Sequence, residues 1–167
     1  MTDPVAARFG PLAGTMLTDT PLAPIWRISF LANFFTGPLY ADLEARFDLS
    51  RPGFVILYCL SQEDGLMARD VARLSGLPKN SVSRAVAAIA QRGLVETGAG
   101  ADRRAKPLRL TPAGRALLAT VLPLCVARQA AMLSPLSPGE QRDLLALLDK
   151  LVQAAPAWVD GRPALAE

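Results

Sequence analysis

Apolar positions recur at helical spacing through most of the chain, interrupted by short clusters of Gly, Pro, Ser and Asp. Residues 1–20 depart from this: Pro, Gly, Thr and Ala mix there without a period, which predicts a flexible arm. Between Pro24 and Phe47, Trp26, Phe30 and Phe34 form one apolar stripe, and Ile28, Leu31, Phe35 and Leu39 form a second. A helix apolar on two faces has to be covered from two sides. Gly37-Pro38 interrupts this segment and predicts a kink, because proline lacks the amide and crowds the preceding turn.

The middle of the chain reads as shorter elements. Ser50 suits the N-cap of a helix from Arg51 to about Ser61 that buries Phe54, Leu57, Tyr58 and Leu60. After the turn Glu63-Asp64-Gly65, a second short helix covers about Ala68 to Leu74, and Gly76 suits the left-handed position beyond its end. Pro78 opens the next helix at its first position, where a missing amide costs nothing. Its core face is Val82, Val86 and Ile89, while Asn80, Ser81, Ser83, Arg84, Ala87 and Ala88 leave the opposite face small or polar. Two short helices joined by a glycine-containing turn form a helix-turn-helix, whose second helix can lie in the major groove of DNA. Gly93 ends that helix. Leu94–Thr97 and Leu108–Leu110 read as strands flanking a basic, glycine-rich loop, which together make a wing.

Thr111-Pro112 starts a long helix, as N-cap and first residue, running to about Leu133 with a bend at Pro123. Ser137 and Glu140 have the spacing of a capping box, and a last helix from Gln141 to about Ala154 carries Leu144, Leu145, Leu147, Leu148, Leu151 and Val152. The expected organisation is a flexible arm (1–20), a helical dimerisation region (21–47 with 112–155), a winged helix-turn-helix lobe (50–111) and a frayed tail (156–167). The fold class is mainly α with a small β-wing. Apolar surface on residues 24–36 and 141–152 exceeds what one small lobe can cover, which predicts a homodimer.

Composition narrows the chemistry. The chain has 167 residues, 51% of them hydrophobic, enough for a packed core. No run reaches the roughly 18 uninterrupted apolar residues of a membrane span. Met1-Thr2-Asp3-Pro4 does not open a hydrophobic leader, so a cytoplasmic, non-membrane protein is expected. Histidine is absent, which removes His-based acid–base and nucleophilic chemistry and most transition-metal sites. Neither a phosphate-binding glycine loop nor a paired acidic motif occurs, so an enzyme is disfavoured and neither metal nor organic cofactor is implied. The two cysteines, Cys59 and Cys125, are too few and too distant for a disulfide framework. They sit among apolar residues as buried, inert thiols would, with a redox-sensing role as the alternative.

Charge is uneven along the chain. The formal net charge is only +3, but residues 66–110 hold nine basic side chains (Arg69, Arg73, Lys79, Arg84, Arg92, Arg103, Arg104, Lys106, Arg109) against three acids. A basic island on a slightly acidic body is the footprint of a nucleic-acid binder, although a solvated surface has the same composition.

Four strings carry a family resemblance: Asp70-Val71-Ala72-Arg73-Leu74-Ser75-Gly76 leading to Ser81-Val82-Ser83-Arg84; Gln91-Arg92-Gly93-Leu94-Val95-Glu96; Asp102-Arg103-Arg104; and Leu110-Thr111-Pro112-Ala113-Gly114-Arg115. In this order and spacing, across roughly residues 22–155, the chain resembles the MarR family of bacterial regulators. The resemblance implies a homodimer with interlocked terminal helices, the helix from about Lys79 in the major groove of double-stranded DNA, and the wing in the flanking minor groove. It maps the minor-groove arginine onto Arg104, with Asp102 orienting the wing. It also implies release from DNA by a small aromatic acid or phenol, or by cysteine oxidation. One departure is Met67, standing where the family has a capping Thr or Ser; its loss weakens that helix by about 1 kcal/mol.

The expected DNA-binding residues are therefore Lys79, Asn80, Ser81, Ser83, Arg84, Arg103, Arg104 and Lys106. Candidate effector residues are Trp26, Phe30, Phe34, Phe54 and Tyr58, with Arg27 and Arg51 able to meet a carboxylate bidentately. For each aromatic, plain core or dimer interface is the commoner role, and for each arginine an ordinary ion pair. A winged-helix module that binds an acidic protein remains the alternative to a DNA-binding one.

Overall fold

A computed structural model describes residues 3–98 and 106–159. The order is α1 (Pro4–Phe9), α2 (Pro11–Thr18), α3 (Ala23–Phe47), α4 (Arg51–Gln62), α5 (Ala68–Ser75), α6 (Lys79–Gln91), β1 (Val95–Thr97), β2 (Leu108–Leu110), α7 (Pro112–Leu133) and α8 (Pro138–Val159). The chain divides into two compact units, Met1–Arg128 and Gln129–Glu167.

The first unit holds the core. Leu43, Leu49, Ile56, Leu57, Val71, Val82, Leu108 and Val121 are its largest fully buried side chains, drawn from α3 through α7 and from the second strand of the wing. Helix α4 lies at the centre, packed against α5, α6 and β2. Its N-cap is Ser50, whose Oγ accepts from the Gly53 amide at 3.3 Å. The face it buries is Gly53, Ile56, Leu57 and Leu60; Phe54 is only half-buried and Tyr58 is 43% exposed. The expectation that both aromatics are buried is thus corrected: Phe54 packs half-buried against the core beside Tyr40 of α3, and Tyr58 stacks on its outer side, largely open to solvent. On α6 the buried residues are Val82, Ala85 and Ile89, with Val86 half-buried, because a tight approach to α4 favours the small Ala85 at the contact.

Residues 4–18, expected to be a flexible arm, form two short helices instead. Asp3 accepts from the Val5 amide at 2.9 Å, Pro4 and Pro11 occupy first-turn positions, and Leu17 is buried. The Phe9 ring packs on Phe30 and Phe34 with centroids 5.2 and 4.7 Å away. Helices this short owe their stability to such packing rather than to propensity, so no long period marks them in the sequence. They cover one apolar face of α3, while Ile25, Ile28 and Leu31 remain about half exposed.

Helix α3 runs through Pro38 without a break. Proline at this position leaves the Phe34 carbonyl without its usual amide partner. Arg128 of α7 fills that gap: Nη2 donates to Phe34 O at 2.9 Å and Nε to Phe35 O at 2.7 Å. At the end of α3, Asp48 adopts the left-handed conformation (φ 49°), and Arg92 donates to the carbonyls of Phe47 and Asp48. A cationic donor at a helix C-terminus satisfies orphan carbonyls and opposes the negative end of the macrodipole.

The junction from wing to α7 is a dense knot. Thr111 Oγ1 accepts from the Gly114 amide at 3.0 Å and donates to Gly93 O at 2.6 Å, while the Thr111 amide donates to Leu94 O at 3.2 Å. Gly114 is buried, and a Cβ there would collide with the Leu94 carbonyl. Among the described residues α7 is the one helix long and apolar enough to cross a membrane by length and composition. Leu118 and Val121 nevertheless belong to the core, and Leu117, Leu124 and Cys125 pack against it.

In the second unit, the Ser137–Glu140 box forms as expected. The Ser137 amide and hydroxyl both donate to the Glu140 carboxylate, at 2.8 and 2.7 Å, and the Glu140 amide donates to Ser137 Oγ at 3.3 Å. Helix α8 extends beyond the expected Ala154, through Pro156 to Val159, shortening the expected tail. Leu145, Leu147, Leu148, Leu151 and Val152 are 41–64% exposed.

The two Ser137 donors, the hydroxyl first, hold the Glu140 carboxyl below its usual range. A depressed carboxyl contributes stability that is present above the unfolded carboxylate pKa and is lost as pH falls through the folded one. The start of α8 should therefore fray on acidification, and Ser137→Ala should return Glu140 toward its ordinary value. An NMR titration of the Glu140 side chain checks this; an unchanged pKa in the variant contradicts it.

Candidate nucleic-acid interface

Helices α5 and α6 form the helix-turn-helix. Met67 at the N-cap of α5 has no side-chain cap, as expected, but Asp70 partly compensates by accepting from the Met67 amide at 3.2 Å. Gly76 ends α5 in the left-handed conformation (φ 68°), and a three-residue connection leads to α6, with Pro78 at its N-cap, one position before the expected one.

The outer face of α6 agrees with the expectation from its sequence. Lys79, Asn80, Ser83, Arg84, Ala87 and Ala88 are exposed, and Ser81 is half-buried. The Ser81 amide donates both to Asn80 Oδ1 at 2.8 Å and to the Pro78 carbonyl at 3.0 Å, and the Asn80 side-chain amide donates to no partner among the described residues. Small side chains between the polar ones let another surface approach the backbone closely.

Two grooves flank this face. One, of about 340 Å³, lies between the start of α4 and α6, with Ser50, Pro52, Ser81 and Arg84 among its lining residues. The other, of about 470 Å³, lies between α5 and the start of α6 and gathers three cations, Arg69, Arg73 and Lys79, beside Asp70. Arg73 meets Asp70 at 3.4 Å but is 79% exposed, so this pair is weak and an anion can compete for the guanidinium. Arg69 and Arg73 belong to the basic island of the sequence, where no contact is expected of them individually. Their i, i+4 spacing was the signal that they share one face.

The wing is a two-stranded antiparallel sheet, with Val95 opposite Leu110, Glu96 opposite Arg109 and Thr97 opposite Leu108. Gly98 N extends the ladder to Pro107 O at 2.8 Å. On its other edge, Leu108 exchanges backbone hydrogen bonds with Gly65 and Leu66, each at 2.9 Å, anchoring the wing to the α4–α5 turn. Lys106 is exposed at the base of the wing, whereas Asp102, Arg103 and Arg104 lie outside the described residues. Arg109 meets Asp64 at 3.5 Å, and Arg92 is committed to the end of α3. Arg69, Lys79, Arg84 and Lys106 have no acidic partner among the described residues.

The candidate effector residues separate into two groups. Trp26, Phe30 and Phe34 line one hollow on α3, and Arg27 borders the cavity beneath α1 and α2. Arg51 lies over the Tyr40 ring (5.5 Å), Tyr40 contacts Phe54, and Phe54 stacks on Tyr58 at 6.0 Å. No ring contact joins the two groups among the described residues. Burial pushes the Cys59 and Cys125 thiols up, away from the thiolate that oxidation chemistry requires. Burial also raises the Tyr40 phenol, against the opposing charge of Arg51.

This architecture can be set beside known proteins. The chain is 31% identical over 130 residues to the HTH-type transcriptional repressor Rv2887 of Mycobacterium tuberculosis, covering 77% of this chain and 94% of that protein. A solved structure of Rv2887, a MarR family protein, superposes with a TM-score of 0.63 at 28% identity, covering 80% of this chain and 98% of that one. The chain belongs to the MarR family. A MarR family regulator from Silicibacter pomeroyi is similar at 27% identity and a TM-score of 0.65, covering 83% of this chain and 92% of that one. The profile of the IclR helix-turn-helix domain matches residues 53–99. That span is the α4–α6 and first-strand segment, a unit that winged-helix proteins of several families share, so it agrees on the lobe while the longer similarities decide the family. As a MarR member the chain is a DNA-binding transcriptional regulator and not an enzyme.

Proposed function

We propose that this regulator is a repressor that occupies a pseudo-palindromic operator as a homodimer in the cytoplasm, and that a small aromatic acid or phenol releases it. The exposed face of α6 carries the reading: Lys79, Asn80, Ser81, Ser83 and Arg84 present donors and small side chains on a helix otherwise packed into the lobe. Arg84 suits a guanine edge in the major groove. Arg69, Arg73 and Lys79 suit the phosphates beside it, and Lys106 with Arg103 and Arg104 of the wing suits the negative potential of a narrow minor groove. The homodimer is supported by apolar surface that each unit leaves open, on Ile25, Trp26, Ile28 and Leu31 and on the leucines of α8. Effector release is supported by the relative Rv2887, whose structures are complexes with salicylic acid and with p-aminosalicylic acid. A ligand releases DNA only if it binds the two states with different affinity.

The test is selection of genomic fragments by the purified protein, followed by affinity measurements at two salt concentrations with and without salicylate. One strongly preferred sequence, bound by a dimer with a steep salt slope and released by salicylate or a related acid, is expected. Binding to an acidic protein with no preferred DNA sequence contradicts the reading.

A further inference from the structure

Consecutive residues at the exit of α6 tie it to two different helices. Arg92, the C-cap of α6, reaches back to the end of α3, where its guanidinium donates to the carbonyls of Phe47 (2.9 Å) and Asp48. Gly93 turns the chain in the left-handed conformation (φ 65°), and its carbonyl accepts from Thr111 Oγ1 at 2.6 Å. The Leu94 carbonyl accepts from the Thr111 amide at 3.2 Å, just before α7 begins. Helix α6 is thus fastened at its C-terminal end to both α3 and α7, the long helices that flank the winged lobe in the sequence.

The two fastenings differ in kind. At Thr111 a backbone amide shares the work with the hydroxyl, whereas the bridge from Arg92 to Phe47 spans 45 residues of chain and depends on one side chain. Among the described residues no other side-chain hydrogen bond joins α6 or its exit to α3. Arg92 also approaches the Asp48 carboxylate at 3.7 Å, but that carboxylate is 88% exposed, so the ion pair contributes little and the carbonyl contacts carry the link. A planar guanidinium holds two acceptors at a set angle, which the single point charge of a lysine does not.

Such a link bears on how a two-fold operator is recognised. Adding or removing one base pair between half-sites moves one groove relative to the other by about 3.4 Å and about 35°. A reading helix held stiffly on its flanking helices must store that misfit as strain. One held loosely swivels to meet the groove and loses entropy on docking, so it binds the correct spacing more weakly and discriminates less.

We propose that Arg92 is a positioning residue for operator recognition: by clamping the C-terminal end of α6 to the end of α3, it sets the half-site spacing that the protein accepts, without touching DNA. This inference rests on the homodimer reading above. It supplies a source of specificity separate from the base contact of Arg84.

Affinities of the full chain for its selected operator, with base pairs inserted or removed between the half-sites, test the proposal. Wild type should lose about tenfold or more on a change of one base pair. Arg92→Ala should bind the original spacing more weakly, yet differ by less than about threefold across the same changes. Arg92→Lys, which keeps the charge but serves one carbonyl at a time, should fall between the two. Lys79→Ala, which removes a proposed phosphate contact, should weaken binding by the same factor at every spacing. Circular dichroism at the assay temperature checks that each variant is folded; were Arg92→Ala unfolded, Arg92→Lys decides alone. If the folded Arg92 variants weaken binding equally at every spacing, as Lys79→Ala does, the positioning role is overturned. A dimeric wild type indifferent to spacing overturns it too, while a wild type that binds one half-site as a monomer removes the homodimer reading and this inference with it.

Discussion

Gly114→Ala is expected to destabilise the chain by about 3 kcal/mol, although alanine is the better helix former by about 1 kcal/mol. The added methyl group has to occupy the position of the Leu94 carbonyl oxygen, which is backbone and cannot rotate away. That carbonyl also accepts from the Thr111 amide at 3.2 Å, so moving it disrupts the cap of α7 and the exit from α6 together. For a chain of this size the loss corresponds to a fall in Tm of roughly 6–12 °C. Ala113→Gly, one residue earlier and exposed, should cost only about 1 kcal/mol. Thermal melts of the two variants provide the comparison, and a Gly114→Ala protein as stable as wild type would show that the wing and α7 do not meet at this backbone contact.

Arg128→Ala should cost about 2–4 kcal/mol, because it removes two charge-assisted hydrogen bonds to α3. The reason lies ninety residues away in the sequence. Pro38 has no amide to offer Phe34 O, and the Arg128 guanidinium substitutes for it while also holding Phe35 O. The two positions should therefore be coupled. In a Pro38→Ala background the restored amide can satisfy Phe34 O itself, so Arg128→Ala should cost at least about 1 kcal/mol less there than in wild type. Chemical denaturation of the double-mutant cycle measures this, and strict additivity contradicts it.

Elements that announce their own ends were legible in the sequence. Ser50, Gly76, Thr111-Pro112 and the Ser137–Glu140 pair each act within a few residues, and the structure places the starts of α4, α7 and α8 and the end of α5 at or within a few residues of where they point. The polar face of α6 was legible for a similar reason, since helical spacing alone separates Arg84 from Val82 and Ile89. What escaped the sequence depends on partners far along the chain. Residues 4–18 become helical where Phe9 finds Phe30 and Phe34. Arg92 looked like one more member of a basic island until the carbonyls of Phe47 and Asp48 claimed it, and Arg109 until Asp64 did. Phe54 and Tyr58 carried apolar periodicity, but they lie on the side of α4 at the margin of the core, where Phe54 meets Tyr40 of α3 and Tyr58 stacks outside it.

The central claim is that α6 reads base sequence, and the contribution of Arg84 tests it most directly. Wild type and Arg84→Ala should be compared on a randomised operator library at fixed salt. A bidentate arginine–guanine contact discriminates by about 1–3 kcal/mol, roughly 5- to 150-fold for each half-site, and a symmetric dimer makes it twice. Arg84→Ala should weaken binding and relax preference at one position in each half-site while leaving the rest of the operator consensus intact. An Arg84→Ala protein with unchanged affinity and unchanged preference would contradict the assignment of α6 as the reading helix.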